Sequence, residues 1–354
     1  MKITDLGISG YERVAHAHDP VSGLVALIAV HNTTLGPAVG GIRMWNYATE
    51  ADALTDVLRL AEGMTLKSAV ANTGLGGGKA VIIGNARTGK SPALLAAMGR
   101  FIDNFEGTYY GAEDVGTSTA DIEQVRTTTK WVTGLPRSAG GSGDPSPFTA
   151  RGVFLGLKAA LAERFGSDEV RGRTVAVQGL GSVGMAVAQH LHAHGAKLMV
   201  ADIHEAHVQT AVEKLGARSV EPERIFDVPA DVFAPCALGG VLNDSTLARL
   251  KCAVVAGAAN NQLHEPRHGR VLLDKGIVYA PDFVINAGGI VNISVEFHAG
   301  GYDEAAAHAK VGNIGEAVSA VLRLARERGI PSSEAAVQLA QQRIAAGKGA
   351  PKPH

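Results

Sequence analysis

Two α/β domains, the second a doubly wound parallel sheet, are predicted by three features of this sequence. Its 354 residues, 46% of them hydrophobic, are enough to bury sizeable cores in two domains. Through the second half, strand-like apolar runs at 174–178, 197–201, 232–234, 253–256 and 277–280 alternate with helical stretches, the pattern of parallel strands joined by crossover helices. After the first of these runs comes the hexad Gly179-Leu180-Gly181-Ser182-Val183-Gly184, and a helical stretch from Met185 to His194 follows. A strand, a tight glycine turn and a helix N-terminus hold backbone amides around a pyrophosphate. The hexad therefore predicts a dinucleotide site, with Gly179, Gly181, Ser182, Val183 and Gly184 against the cofactor.

A glycine pattern of this kind also arises by chance between any strand and helix, so its surroundings matter. The run 197–201 ends in Asp202, 18 residues beyond Gly184, close to the roughly 20 expected of a carboxylate that grips a ribose hydroxyl. The next residues, Ile203-His204-Glu205, offer no arginine for a 2′-phosphate, so NAD is expected rather than NADP. A plain strand-end aspartate is the alternative.

Upstream of the hexad, residues 24–30 and the run leading to Arg43-Met44-Trp45 read as paired strands. Between Glu50 and Met64 apolar residues recur at helical spacing. Residues 80–83 read as a buried strand, 94–105 as a helix, and 108–112 as a strand ending at Glu113-Asp114. The small, polar and proline-rich stretch 138–147 is the clearest linker, and a long helix over 149–164 carries the chain onward. A last helix over 334–345 precedes the tail 347–354, expected to be disordered. The predicted division is 1–135 with 329–354 as one domain and 136–328 as the other.

A formal charge of −1 supplies no overall basic field, so neither nucleic acid nor an anionic membrane is expected as a partner. The two cysteines, Cys236 and Cys252, lie in apolar stretches and support neither a disulfide framework nor a metal site, and no metal is expected. The first twenty residues lack the apolar core of a signal peptide, and no apolar run reaches the ~18 residues of a membrane span. A cytoplasmic protein is expected.

Lys67 and Lys79 bracket a nearly uncharged, glycine-rich stretch. A lysine in such a setting must meet an anion or shed its proton, because desolvation and a second ammonium both disfavour its charged form. One can stay cationic and hold a carboxylate while the other acts as a base. Two surface lysines beside a loop are the alternative. Asp114, where a buried strand meets a loop, is a candidate catalytic carboxylate or, since Thr117-Ser118-Thr119 follow, a helix cap.

The segments at 31–45, 63–84, 111–118, the hexad, 233–240, 254–263 and 279–292 resemble, in order and over nearly the whole chain, the amino acid dehydrogenase superfamily, with the leucine dehydrogenase branch nearest. The resemblance implies a catalytic and oligomerisation domain, a Rossmann-type NAD-binding domain, a cleft separating them, and a homo-oligomer, an octamer or a dimer. It implies that Lys67 binds the substrate carboxylate, Lys79 is the general base that activates water, and Asp114 exchanges protons with the amino group. Gly40, Gly41, Met64 and Asn260 are assigned to the substrate. Thr149 and Asn260 are assigned to the nicotinamide end, Cys236 and Ala237 to the adenosine side, and Asn286 to the cleft. The implied reaction is reversible oxidative deamination of an L-amino acid to a 2-oxo acid and ammonia.

The resemblance also implies that the substrate side chain meets Val39, Ala112, Ile290 and Ile293, all aliphatic or small. Such a pocket leaves a substrate carboxylate unpaired and discriminates one methylene by only about 1–3 kcal/mol. Leucine, isoleucine and valine are thus expected substrates, with phenylalanine and tryptophan as the alternative. Other enzyme classes have local signatures here too. Residues 84–91 match the phosphate-loop pattern GxxxxGK[ST], and 264–268 match HExxH, although Pro266 disrupts the helix that a zinc site would need. A non-catalytic nucleotide sensor is the remaining reading.

Overall fold

Strands β1 (Lys2–Asp5), β2 (Arg13–Asp19), β3 (Leu24–Asn32), β4 (Ala38–Trp45), β5 (Gly76–Ile83) and β6 (Tyr109–Glu113) form one sheet in the order β1-β2-β3-β5-β4-β6 in the computed structural model, which describes residues 1–347. Three contacts set the character of its functional end: β5 runs antiparallel to β3 and parallel to β4, and β4 runs parallel to β6. The expected pairing of β3 with β4 does not form, because β5 lies between them. Helix α1 (Glu50–Val70), opened by a Thr49–Asp52 capping box, packs Ala53, Val57 and Ala61 on Leu27, Ala29 and Val81. Helix α2 (Pro92–Asp103) covers the other face, where Met98, Phe101 and Ile102 meet Ile28, Ile42 and Ile82. Alternation along each strand thus divides the sheet into an α1 face and an α2 face.

Helix α1 runs six residues past the expected Met64, so Lys67 stands in its last turn rather than in a glycine-rich loop. Helix α3 (Thr119–Arg126) is capped by Ser118, whose hydroxyl accepts from the Asp121 N–H, so Asp114 is not a cap. The helix Ser332–Gly347 brings Arg343 onto the carbonyls of Ala69 and Val70 at the end of α1. A cation there complements the unpaired carbonyls of a helix C-terminus.

A second sheet contains β7 (Thr174–Gln178), β8 (Lys197–Ala201), β9 (Arg218–Ser219), β10 (Val232–Pro235), β11 (Val254–Val255) and β12 (Val278–Tyr279) in the order β12-β11-β10-β7-β8-β9. Every pairing is parallel. The chain winds outward from β7 to β9 and then returns beside β7 with β10, which makes the carboxyl ends of β7 and β10 the switch point where ligands bind in open sheets of this kind. Helix α4 (Ser146–Phe165) precedes this sheet, α5 (Ser182–Ala193) joins β7 to β8, and α6 (Glu205–Leu215) joins β8 to β9.

By their contacts, Met1–Asp144, Ile293–Asp303 and the described residues from Ala340 form one unit, and Pro145–Asn292 with Glu304–Leu339 form the other. Residues 136–144 and 293–303 thus group with the first unit and 329–339 with the second, the reverse of the expected division for these stretches. For the first two stretches Glu296 is the reason: it accepts hydrogen bonds from Gly134 and Ser142 main-chain amides. The presumed linker is no free tether, since Ser142 is wholly buried and a side chain at Gly141 would strike the Leu135 carbonyl. Ser332 Oγ donates to the Tyr279 carbonyl, which holds the start of the last helix to the second unit. Residues 348–354, most of the tail expected to be disordered, lie outside the described residues.

Candidate active site

Register collects the candidate residues of the first unit on the α1 face. Lys79 pairs across the sheet with Ala29, and its strand neighbour Val81 packs under Ala61. Val39 and Gly41 on β4 lie opposite Tyr110 and Ala112 on β6, and Arg43 follows Gly41 on the same face. Asp114 comes directly after β6 and is fixed by Thr117, whose hydroxyl accepts from the Asp114 N–H at 2.9 Å and donates to the Ile42 carbonyl at 2.8 Å.

Lys79 is 6% exposed, and its ammonium forms an ion pair with Asp114. Arg43 Nε stands 3.5 Å from Asp114 Oδ2, and the same guanidinium donates to Asp56 at 2.9 Å. Burial alone would push the Asp114 carboxyl up. The Lys79 and Arg43 charges, with hydrogen bonds from Lys79 and the Val115 N–H, instead hold it below the usual carboxylate range. The result is an ionised carboxylate between two cations, largely secluded from water.

This cluster needs Gly41, because a Cβ there would lie 2.5 Å from Asp114 Cβ. Gly40 points its hydrogen to the other side of the sheet, where its carbonyl accepts from the buried Tyr109 hydroxyl at 2.8 Å. Thr65 lies against Gly77, which leaves no room for a side chain on that residue and brings the end of α1 down beside the Lys79 strand. Lys67 and Met64, both half-buried, occupy this end of α1. Ala112 and Ile293 adjoin, since a Cβ built on Gly134 would lie 3.8 Å from the one and 3.9 Å from the other.

The second unit carries the nucleotide-type residues. Gly179, at φ +92°, turns the chain out of β7, and a Cβ on it would meet Ala237 at 2.7 Å. Gly184 packs its Cα on the Gly179 carbonyl, with Cys236 alongside. Cys236 and Ala237 therefore adjoin the turn at the switch point. Helix α5 begins at Ser182 with Gly181 as its cap and no side chain on its first amides. Asp202 Oδ2 accepts from the Leu180 N–H at 2.6 Å, and Oδ1 accepts from the His204 N–H at 2.7 Å. Burial works to raise this carboxyl, but those two amides and the neighbouring His207 hold it below the usual range.

Asn286 Nδ2 donates to Asn260 Oδ1 at 2.8 Å and to the Ala258 carbonyl at 3.1 Å, so these two predicted residues meet. Asn286 Oδ1 is buried with no hydrogen-bond partner among the described residues. Thr149 lies inside α4, with its hydroxyl on the Pro145 carbonyl at 3.0 Å, and Gly288 and Gly289 pack against it. Ile290 is buried on the helix Gly288–Ser294, one turn before Ile293. Open helix amides, a glycine cradle and an unpaired buried acceptor together fit a dinucleotide.

The rival motifs lack the required geometry. In 84–91, Lys90 is bound to Asp121 at 2.6 Å and Ser91 caps α2 through the Leu94 amide, so no open phosphate cradle forms. The helix after Pro266 starts at Arg267, which leaves His264 outside it. Arg43 and Glu296 escaped the sequence reading. Each is a single charge without a local motif, although Arg43 sits two residues beyond Gly41 on one strand face, which is the signal that would have found it.

Comparison with known proteins agrees across the chain. A family model described as Glu/Leu/Phe/Val dehydrogenase, dimerisation domain, matches residues 11–131, and one described as Glutamate/Leucine/Phenylalanine/Valine dehydrogenase matches 140–203 and 200–350. A leucine dehydrogenase of Thermoactinomyces intermedius is 51% identical over 334 residues, covering 94% of this chain and 91% of that protein. A phenylalanine dehydrogenase of Lysinibacillus sphaericus is 48% identical over 296 residues, 82% of this chain and 78% of its own length. The crystal structure of L-tryptophan dehydrogenase from Nostoc punctiforme superposes with a TM-score of 0.85 at 43% identity, covering 96% of this chain and 97% of the other.

Proposed function

The chain belongs to the Glu/Leu/Phe/Val dehydrogenase family, a class of nicotinamide-dependent amino acid dehydrogenases, and within it we propose that this enzyme oxidatively deaminates branched-chain L-amino acids with NAD. The observation that carries the chemistry is the buried Lys79–Asp114 pair, flanked by Arg43, on the sheet face beneath α1. Aliphatic or small residues at Val39, Ala112, Ile290 and Ile293 support leucine, isoleucine and valine as substrates, since such a surface pairs with no polar side chain. The phenylalanine and tryptophan relatives keep aromatic amino acids as a second reading.

NAD would be held by the amides of the 179–184 turn and by Asp202, with Cys236 and Ala237 beside the turn, and by Thr149, Asn260 and Asn286 at its nicotinamide end. When bound, the nicotinamide supplies the hydride acceptor. Lys67 holds the substrate carboxylate, with Gly40, Gly41 and Met64 beside it. Asp114 takes a proton from the substrate ammonium, and loss of hydride from the α-carbon leaves an iminium. Lys79, having released its ammonium proton to solvent on substrate binding, takes a proton from water as the water oxygen bonds to the iminium carbon. Asp114 returns a proton to the nitrogen of the carbinolamine and takes one from its hydroxyl as the C–N bond breaks, so that ammonia and the 2-oxo acid leave and the protons on Lys79 and Asp114 pass to solvent. The family model over 11–131, described as a dimerisation domain, supports a homo-oligomer, for which we propose an octamer or a dimer in the cytoplasm; no helix among the described residues is long and apolar enough to cross a membrane.

The test is the absorbance of reduced nicotinamide with NAD or NADP and a panel of L-amino acids. We expect NAD reduction with leucine, isoleucine and valine; a protein that responds only to NADP, or only to glutamate, contradicts the reading.

A further inference from the structure

Glu296 has no part in the chemistry above, yet it is tightly held. It stands half-buried on the 3₁₀ turn Val295–Phe297, and its carboxylate accepts from the Thr133 hydroxyl, from the Gly134 N–H at 3.0 Å and from the Ser142 N–H at 2.7 Å. Thr133 is itself fixed to the sheet, donating its N–H to the Gly111 carbonyl at 2.9 Å. Gly134, next in the chain, adjoins both Ala112 and Ile293. Thr133 and Glu296 also line a cavity of about 680 Å³, together with Tyr110, Val132, Phe297 and His298. The linkage thus has Ala112 and Ile293 as neighbours through Gly134, and the cavity as its neighbour through Thr133 and Glu296.

We propose that the Glu296–Thr133–Gly134 linkage is the wall that limits the length of the substrate side chain, with Glu296 as its positioning residue. This rests on the reading of Ala112 and Ile293 as part of the side-chain pocket. Hydrogen bonds to an ionised acceptor are roughly twice as strong as neutral ones. Removing that acceptor leaves its donors unsatisfied and frees the segment they belong to. An unclamped Gly134 gives way toward the cavity, and the space gained accommodates a ring that the intact wall excludes.

The experiment compares kcat/KM for L-phenylalanine and L-leucine in the wild-type enzyme, Glu296→Ala, Glu296→Gln and Thr133→Val. In Glu296→Ala the phenylalanine-to-leucine ratio should rise about 10-fold or more, the range over which a pocket's size discriminates. The gain should come through a lower KM for phenylalanine, with the KM for NAD unchanged. Glu296→Gln keeps an acceptor for the two amides and should bring the ratio back toward wild type. Thr133→Val, which removes only the hydroxyl, should move it in the same direction as alanine by less, and it decides the matter if the alanine variant does not fold. Equal losses for both amino acids would mark Glu296 as scaffold and overturn the wall while leaving the proposed function intact. A wild-type protein that oxidises neither amino acid overturns both.

Discussion

Around Lys79 and Asp114 the proposed working groups are charged side chains delivered by separate strands, whereas at residues 179–184 they are main-chain amides of one contiguous turn. The first arrangement exists only when β4, β5 and β6 are in register and Gly41 leaves room for Asp114. The second needs only a glycine turn leading into a helix. A charge cluster therefore responds steeply to loss of one partner, because the remaining charges stay buried, while an amide cradle loses affinity in smaller steps.

The largest contrast is expected in turnover. Asp114→Asn should lower kcat for leucine by about 10²–10⁴-fold, the usual worth of a general acid–base group, as read from initial rates at saturating NAD. A loss below tenfold would place proton transfer on another group. Asp202→Ala should instead raise the KM for NAD by about 10- to 100-fold, the worth of hydrogen bonds to a charged acceptor, and leave kcat nearly unchanged. If Asp202→Ala lowers kcat and spares KM, the division of labour between the two regions is wrong.

The smallest effect lies in the pH dependence of stability. Because the Asp114 carboxyl titrates below its ordinary range in the folded protein, its ionised form contributes stability that is complete above the unfolded value of about 4 and is lost as pH falls through the lower folded value. The stability difference between wild type and Asp114→Asn, from urea unfolding, should be flat from about pH 5 to 8 and shrink in wild type's disfavour below about 4. A difference that widens on acidification would mean that Asp114 is not held by Lys79 and Arg43.

The same contrast explains what could be read from the sequence. The hexad and Asp202 announce themselves because their geometry is local, and the structure joins them through the Leu180 amide. Strand–helix alternation likewise gave the second sheet, since each parallel pair follows from its crossover. The pairing of β3 with β4 was misjudged because β5, more than thirty residues downstream of β4, inserts between them, and no local pattern encodes that. Helix α1 outruns its expected end at Met64 because burial of Thr65, Ser68, Ala69 and Val70 carries the helix on, and buried Thr65 and Ser68 leave no apolar spacing to read. Residues 138–147 read as a linker since small residues suit both flexible tethers and tight packing, and here they pack. Lys67, Lys79 and Asp114 stand out as candidates by their settings and take their roles from the family resemblance, whereas Arg43, inside the resembling segment 31–45, and Glu296 take no role from it.

The most direct test of the account is the initial rate of leucine oxidation by Lys79→Ala, folded as judged by its circular dichroism, with reduced nicotinamide and ammonia measured together. The wild-type enzyme should release the two in equal amounts, and the variant should fall by about 10² or more in kcat. Turnover by Lys79→Ala at the wild-type rate would contradict the assignment of this buried lysine, in its neutral form, as the base that activates water.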